Sequence, residues 1–468
     1  MYFRRIADDS LAQYAYLIGC QRTGDAIVID PERDIDRYIE AAAAEGLRIV
    51  AVAETHIHAD FLSGAREFTA RYDTKLYLSD EGGEEWRSRW AIDSDYTVEL
   101  LHDADVFSIG NIAFKVMHSP GHTPEHIAYI VTDVGGSANE PMGILSGDFV
   151  FVGDLGRPDL LESAAGAQDA MRPSAERLHA SAEGFFAFPD HMQVWPAHGA
   201  GSACGKALGA VPVSTVGYEK RFSPALAAVR AGRDSFVDFI LADQPEPPLY
   251  FGRMKVLNRD GVPILGTLPE PARVGTADLV AADAVVLDTR PDREAFMAGH
   301  VAGSIFAPLD KSFPTIAGSY VLPDEQGVYL VIEPEQLEAA VRQLIRVGLD
   351  DIRGYITPDD LEGMSLEALE RVSFAGAREM GAAVLDVRRA SEYNAGHVEG
   401  AANVAHTRLI PRFDEVPTGT RVLVHCATGK RAASAASYLA RRGVDVVYVD
   451  DRYADGVLPA AAGDDVVS

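Results

Sequence analysis

Two short patterns occur twice in the second half of this chain. Val285-Val286-Leu287-Asp288-Thr289-Arg290 returns as Ala383-Val384-Leu385-Asp386-Val387-Arg388, and Gly299-His300-Val301-Ala302-Gly303 returns as Gly396-His397-Val398-Glu399-Gly400. The offsets, 98 residues for the aspartates and 97 for the histidines, exceed the repeat length of any solenoid. A duplicated α/β domain is therefore built into whatever this sequence folds into. With 468 residues in all, and about 150 per domain as a guide, one further domain precedes the pair. The acidic, proline-rich stretch Asp243-Gln244-Pro245-Glu246-Pro247-Pro248 reads as a linker. The expected organisation is a first domain over 1–242, a linker over 243–269, and the two copies over 270–370 and 371–468.

Composition narrows the function. Hydrophobic residues make up 47% and charged residues 24%, an ordinary soluble mix. The net charge of −28 argues against nucleic acid or an anionic membrane as a partner. No window offers the ~18 uninterrupted apolar residues of a membrane span, and the start lacks the apolar core of a secretory signal. The three cysteines, Cys20, Cys204 and Cys426, are too few and too far apart for a disulfide framework. Free thiols and a cytoplasmic location are the expectation.

In the first domain, Tyr14–Ile18 and Ala26–Asp30 read as strands around a turn at Thr23-Gly24-Asp25, and Ile35 to Leu47 as a helix. The buried-type strand Ile49–Ala53 then runs straight into Thr55-His56-Ile57-His58-Ala59-Asp60. Further on come Ser119-Pro120-Gly121-His122-Thr123, Gly143-Ile144-Leu145-Ser146-Gly147-Asp148 and Trp195-Pro196-Ala197-His198-Gly199. Each puts a histidine or aspartate just after an apolar run, beside glycine or proline that lets the chain turn. Such a series is hard to explain without a metal.

This order resembles the metallo-β-lactamase superfamily over about the first 240 residues. The resemblance implies an α/β fold, an αββα sandwich. The family pattern His-x-His-x-Asp-His holds two metals, but Phe61 stands at its last histidine here. A second metal site using Asp60, residue 61 and His198 thus lacks a ligand. His56, His122 and Asp148 remain. Two imidazoles and one carboxylate form the facial triad of non-haem Fe(II) oxygenases. By resemblance this is also the ligand set of the persulfide dioxygenase branch, to which the passage from Gly147 to Leu160 is similar. One Fe(II) per chain is expected. His58, Asp60 and His198 are expected to orient ligands or bound water. Arg157 either holds a substrate carboxylate or pairs with Asp154 or Asp159. Cys204 follows His198 by six residues in a glycine-rich loop, where Lys206 would lower its pKa; a substrate-binding role is weighed against a structural one. His118 and His126 read as surface or capping residues, His102, His179 and His191 as solvated, and Cys20 as a small buried hydrophobe.

The second copy carries its own chemistry. The strand Arg421–His425 leads into Cys426-Ala427-Thr428-Gly429-Lys430-Arg431 and then a helix through Ala440. A cysteine before a helix N-terminus meets converging N–H groups, and Lys430 and Arg431 add charge; together these favour the nucleophilic thiolate. The loop and its upstream motifs resemble rhodanese-type sulfurtransferases over about 373 to 455. The resemblance implies that Cys426 carries a persulfide sulfur. Phosphatases of that fold use Cys-x5-Arg, one residue longer than the spacing here. Asp450-Asp451-Arg452-Tyr453-Ala454-Asp455 departs from the Gly-Gly and Trp segment common in the family. In the earlier copy, Val328–Ile332 ends at Glu333-Pro334-Glu335, so a carboxylate is expected at the cysteine's place and Pro334 removes a backbone donor. That copy reads as an inactive spacer or docking module. His300 and His397 read as structural in both copies.

The whole chain resembles fusions of a persulfide dioxygenase with two rhodanese-like domains, the first degenerate. The resemblance implies oxidation of a low-molecular-weight thiol persulfide by O2 and water to thiol and sulfite, with Cys426 making or using thiosulfate, in sulfide detoxification. The expected partners are the persulfide, O2 and sulfite or thiosulfate; a homo-oligomer is left open. Two alternatives stand beside this reading. One is a zinc thioester hydrolase of the glyoxalase II type with a rhodanese module, against which Phe61 speaks. The other is a non-catalytic sulfur carrier or sensor. Which thiol carries the persulfide, and the direction of the transferase step, are not legible in the residues.

Overall fold

The computed structural model describes residues 1–136, 139–163, 169–281, 284–322, 327–377 and 380–453; Ala454 and Asp455 of the C-terminal motif lie outside them. The chain forms two compact units, one of Met1–Leu268 with Ile345–Gly348, the other of the remaining residues from Pro269 onward.

The first unit is built on two six-stranded sheets. One runs in sequence order through Tyr2–Asp8, Gln13–Cys20, Asp25–Ile29, Arg48–Ala53, Lys75–Ser79 and Val98–Leu101. The other is ordered Ser214–Thr215, Gln193–Pro196, Gly143–Gly147, Ile127–Asp133, Ile112–His118 and Val106–Ile109. Alternating residues of both sheets, among them Tyr16, Ile27, Ala51, Phe114, Tyr129 and Trp195, meet in one core. The opposite faces are covered by helices: Asp36–Ala43 and Ala65–Tyr72 on the first sheet, Met171–Phe185, Pro224–Ala231 and Arg233–Leu241 on the second. This is the expected αββα sandwich. The strands anticipated at Tyr14–Ile18, Ala26–Asp30 and Ile49–Ala53 are present, each within a residue or two of its bounds at one end or both. The edge strand Tyr2–Asp8 had no signal beyond its own short polar-interrupted run. The stretch read as linker contains the helix Phe251–Asp260, whose Asn258 bears directly on the site.

The second unit holds both copies. Each is a parallel sheet with the same strand order: Ile305–Phe306, Ala284–Asp288, Gly327–Val331, Ile352–Ile356 in one, and Ala402–Asn403, Ala383–Asp386, Val422–His425, Val446–Val449 in the other, extended there by Glu370–Val372. The repeated motifs form the same brace twice. Arg290 clasps Asp288 and the Gly299 carbonyl, as Arg388 clasps Asp386 and the Gly396 carbonyl. His300 and His397 donate Nδ1–H to the carbonyls of Phe296 and Tyr393 and stack on those rings. Both histidines are structural, as their turns suggested.

Register corrects one expectation. Asp288 pairs with Val331 and Asp386 with His425, so the residue equivalent to Cys426 is Ile332, not Glu333. Ile332 is buried at 1% exposure and Glu333 points to solvent. The carboxylate lies one residue beyond the nucleophile's place.

Candidate metal centre and cysteine loop

The strand Arg48–Ala53 delivers His56 into the mouth of the sandwich, and the loops after Ile112–His118 and Gly143–Gly147 bring His122 and Asp148 to meet it. His122 Nε2 lies 3.4 Å and His56 Nε2 4.0 Å from Asp148 Oδ2, and the two imidazole planes stand at 90°. All three residues are buried. The outer nitrogens fix the tautomers. His122 Nδ1 donates to the Arg157 carbonyl at 3.0 Å. Thr55 Oγ1 donates to Asp30 Oδ2 and so accepts from His56 Nδ1, at 2.9 Å for each bond. Both Nε2 lone pairs are thereby left for a metal.

Gly147 makes the turn possible. Its φ of +53° suits glycine, and a Cβ there would stand 2.5 Å from His126 Nε2 and 2.7 Å from Thr55 Oγ1.

Next to this triad, Asp60, His198 and Cys204 place ligand atoms within 4.8 Å of one another. His198 Nε2 is 3.2 Å from Asp60 Oδ2 and 3.4 Å from Asp148 Oδ1. Both oxygens of Asp148, both of Asp60 and Nε2 of His198 are buried with no hydrogen-bond partner. Orphaned acceptors of this kind are costly unless something cationic satisfies them. The donor set therefore fits a divalent cation. Burial pulls His56 well below its ordinary range and sets His122 at about 4. Burial also pushes Asp148 and Asp60 up to about 6.

His58 Nε2 lies 3.0 Å from Glu54 Oε2 and 3.2 Å from Asp30 Oδ1, while its Nδ1 is buried with no hydrogen-bond partner and its ring lies 4.2 Å from that of His56. Although burial opposes it, those carboxylates hold its imidazole well above the usual range. Asp30 thus links His58 and, through Thr55, His56. Phe61 is fully buried against the His58 ring, 4.3 Å between centroids.

Several expectations change. Arg157 is 1% exposed, and its three guanidinium nitrogens are taken by Asp159 and the Ala203 carbonyl. The ion-pair alternative is the one the structure shows; no geometry supports a grip on a substrate carboxylate. Lys206 does not activate Cys204, because its ammonium reaches the carbonyls of Phe239 and Ala242 instead. Burial, with the Asp60 and Asp148 carboxylates, raises the Cys204 thiol well above its ordinary value. His126 is buried, not superficial; Ser119 binds its Nδ1, and its Nε2 accepts the N–H of Asp148. His179 is buried on the Val229 carbonyl rather than solvated. Asn258 stands in no motif that marks it in the sequence. Its amide donates to the carbonyls of His58 and Phe61 and accepts from Ser63 N–H, pinning the histidine loop from a helix that composition marked as linker.

In the second unit, Cys426 is 1% exposed at the end of Val422–His425, with Ala432 N–H 3.4 Å from its Sγ. Arg431 is bound to Glu392 through two hydrogen bonds of 2.5 and 2.8 Å, and Lys430 pairs with Asp310. The described residues of the divergent C-terminal motif pack beside this loop, with Tyr453 N–H donating to the Ala427 carbonyl at 3.1 Å. Tyr453 stacks on His425 under the Arg388 guanidinium, and Asp450 accepts from Tyr448.

A sandwich of this topology with these ligands at its mouth defines the class, and sequence comparison agrees. The family model described as "Metallo-beta-lactamase superfamily" matches residues 9–198, and the rhodanese-like domain model matches residues 371–455. The crystal structure of a metallo-beta-lactamase from Staphylococcus aureus subsp. aureus COL is 40% identical, with a TM-score of 0.71, over 76% of this chain and 99% of that one. The chain belongs to the metallo-β-lactamase superfamily and carries a C-terminal rhodanese-like domain. It is also similar to the mitochondrial persulfide dioxygenase of Bos taurus, 26% identical over 48% of this chain and 75% of that protein. A hydroxyacylglutathione hydrolase of Synechococcus sp. is 32% identical over 40% of this chain and 63% of its own length. The chain spans only 61% and 58% of two further hydrolase-type relatives. Among the described residues no helix is long and apolar enough to cross a membrane.

Proposed function

We propose that the first unit is a mononuclear Fe(II) persulfide dioxygenase and that Cys426 performs sulfurtransfer on its substrates or products. The observation that carries this reading is the convergence of His56, His122 and Asp148, with Phe61 where a second-site imidazole would stand. The similarity to the bovine enzyme supports it. The overall reaction is thiol persulfide plus O2 plus water giving thiol, sulfite and two protons. Iron bound by the triad would supply one-electron and O2 chemistry at open coordination positions. The chain's own part is to fix the ligand tautomers through Thr55 and Arg157, and to keep bulk water from the buried carboxylates. In this reading Asp60 and His198 orient bound water. At Cys426, the thiolate attacks a sulfane sulfur, the S–S bond breaks, and sulfite or a thiol leaves with the electron pair. Tethering keeps each site's product near the other at raised effective concentration. This makes the chain a sulfide-detoxifying enzyme that acts on small molecules.

A second reading, a two-metal thioester hydrolase, draws on the Asp60–His198–Cys204 group and the similarity to hydroxyacylglutathione hydrolases. Anaerobic purification, metal quantification and O2 uptake with several thiol persulfides decide between them. One iron per chain with O2 uptake supports the dioxygenase; two zinc ions with thioester hydrolysis and no O2 uptake overturn it.

A further inference from the structure

The copy without a nucleophile reaches into the Cys426 site. Its Arg293 donates Nη1–H to the Thr428 carbonyl at 3.1 Å, inside the Cys426–Gly429 loop. The other arm of the same guanidinium pairs with Asp450 at 2.8 Å, and Asp450 accepts from the Tyr448 hydroxyl at 2.8 Å. Asp310, from the same copy, pairs with Lys430. The helix that follows the loop is held by that copy too: Phe306 N–H donates to Ser437 Oγ at 3.0 Å, and Arg441 donates to the carbonyls of Gly303 and Ala284.

These contacts bear on the loop's softest point. A cysteine loop works as a cradle only if its peptide N–H groups hold fixed directions. Gly429 has φ +89°, a conformation from which a glycine peptide can readily swing. Because the peptide is planar and trans, its N–H points opposite to its carbonyl. Holding the Thr428 carbonyl therefore sets the direction of the Gly429 N–H, away from Arg293. The space beside Gly429 is filled by the same set of groups: a Cβ there would meet Tyr448 Oη at 2.5 Å, Asp450 Oδ1 at 3.0 Å and Arg293 Cζ at 3.3 Å. With its charge matched by Asp450, Arg293 acts as a brace and not as an anion site.

We infer that Arg293 is a positioning residue for the Cys426 loop, so that the degenerate copy is a working half of the sulfurtransferase site. The inference rests on the reading of Cys426 as a sulfurtransfer nucleophile. In the step concerned, the Cys426 thiolate attacks the outer sulfur of thiosulfate, the S–S bond breaks and sulfite leaves with the pair; cyanide then takes the sulfur as thiocyanate and returns the thiolate.

The test uses the full chain and its Arg293→Gln, Arg293→Lys and Cys426→Ser variants. Three quantities are measured: kcat and KM for thiosulfate-to-cyanide transfer, the rate at which iodoacetamide alkylates Cys426 as read by peptide mass, and the thermal midpoint. Arg293→Gln should lower kcat roughly tenfold, the scale of one hydrogen bond to a charged donor, with KM within about twofold. Cys426 alkylation should slow in parallel. Arg293→Lys, which can still donate to one carbonyl, should recover part of both. Unchanged kcat and alkylation in Arg293→Gln overturn the inference. A loss that tracks only the thermal midpoint, without rescue by lysine, overturns it as well. If the unmodified chain shows no transfer yet Arg293→Gln slows alkylation, the sulfurtransferase reading falls and the positioning role stands.

Discussion

His126 accepts the backbone N–H of Asp148 on Nε2 at 3.0 Å. His126, outside the His56–His122–Asp148 group, thus sets the direction from which the Asp148 carboxylate enters the site. His126→Phe keeps a ring in the space but leaves that N–H and the Ser119 hydroxyl without their partner. Metal affinity should fall roughly 10–100-fold while the fold persists. Competition with a chelator of known affinity measures it.

Asp148→Ala should abolish both metal retention and O2 uptake, because two neutral imidazoles remain for a dication. A variant that keeps its metal and its rate would show that the triad is misassigned.

Metal binding should depend on pH in a defined sense. Burial pushes Asp148 and Asp60 up to about 6, above the ordinary carboxylate range. Between pH about 4 and 6 these two carboxyls hold protons in the metal-free fold that they have lost in the unfolded chain, so their own contribution to stability falls as pH rises through that window, while the depressed His56 and His122 contribute in the opposite sense. Metal competes with the same protons and binds more tightly as they leave. The gap between the thermal midpoints of metal-loaded and stripped protein should widen from pH 5 to 7; a constant gap contradicts the assignment.

Cys426→Ser should eliminate thiosulfate-to-acceptor transfer, since an alcohol does not form the persulfide at neutral pH. Iron content and O2 uptake on a small persulfide should stay nearly intact. The product ratio should move toward sulfite and away from thiosulfate. Glu333→Ala, at an exposed position of the first copy, should change none of these. An unmoved ratio in Cys426→Ser would mean that the two sites are not chemically coupled.

Asn258→Ala removes the partner of two carbonyls and one N–H in the buried histidine loop. A stability loss of about 3 kcal/mol follows from leaving such groups unpaired, with weaker metal binding alongside. Denaturant unfolding and metal titration read the two effects separately.

Local pattern made much of this legible. The strand into Thr55–Asp60, the Gly-bounded ligands and the Cys426 loop all depend on residues adjacent in sequence, and the structure brings His56, His122 and Asp148 together as expected. What escaped depends on partners distant in sequence. Asn258 lies almost 200 residues from the carbonyls it binds, in a segment whose prolines mask a helix. His126 and Lys206 have neighbours that suggest solvent or a thiol, yet their partners are a buried amide and two carbonyls. The nucleophile's counterpart in the first copy lies one residue before the position its sequence suggests, because only pairing fixes register.

That one-residue difference sets the terms for anyone wishing to install a thiol in the first copy by engineering. Adjacent side chains on an extended chain face opposite ways, so a thiol installed at Glu333 would project into solvent. Ile332→Cys is the graft that would enter at the level Cys426 holds in the other copy. It would also need Pro334 replaced, to restore a backbone donor to the turn. The brace of Asp288, Arg290 and His300 is already intact there, so the frame such a graft needs is the one that already stands around Cys426.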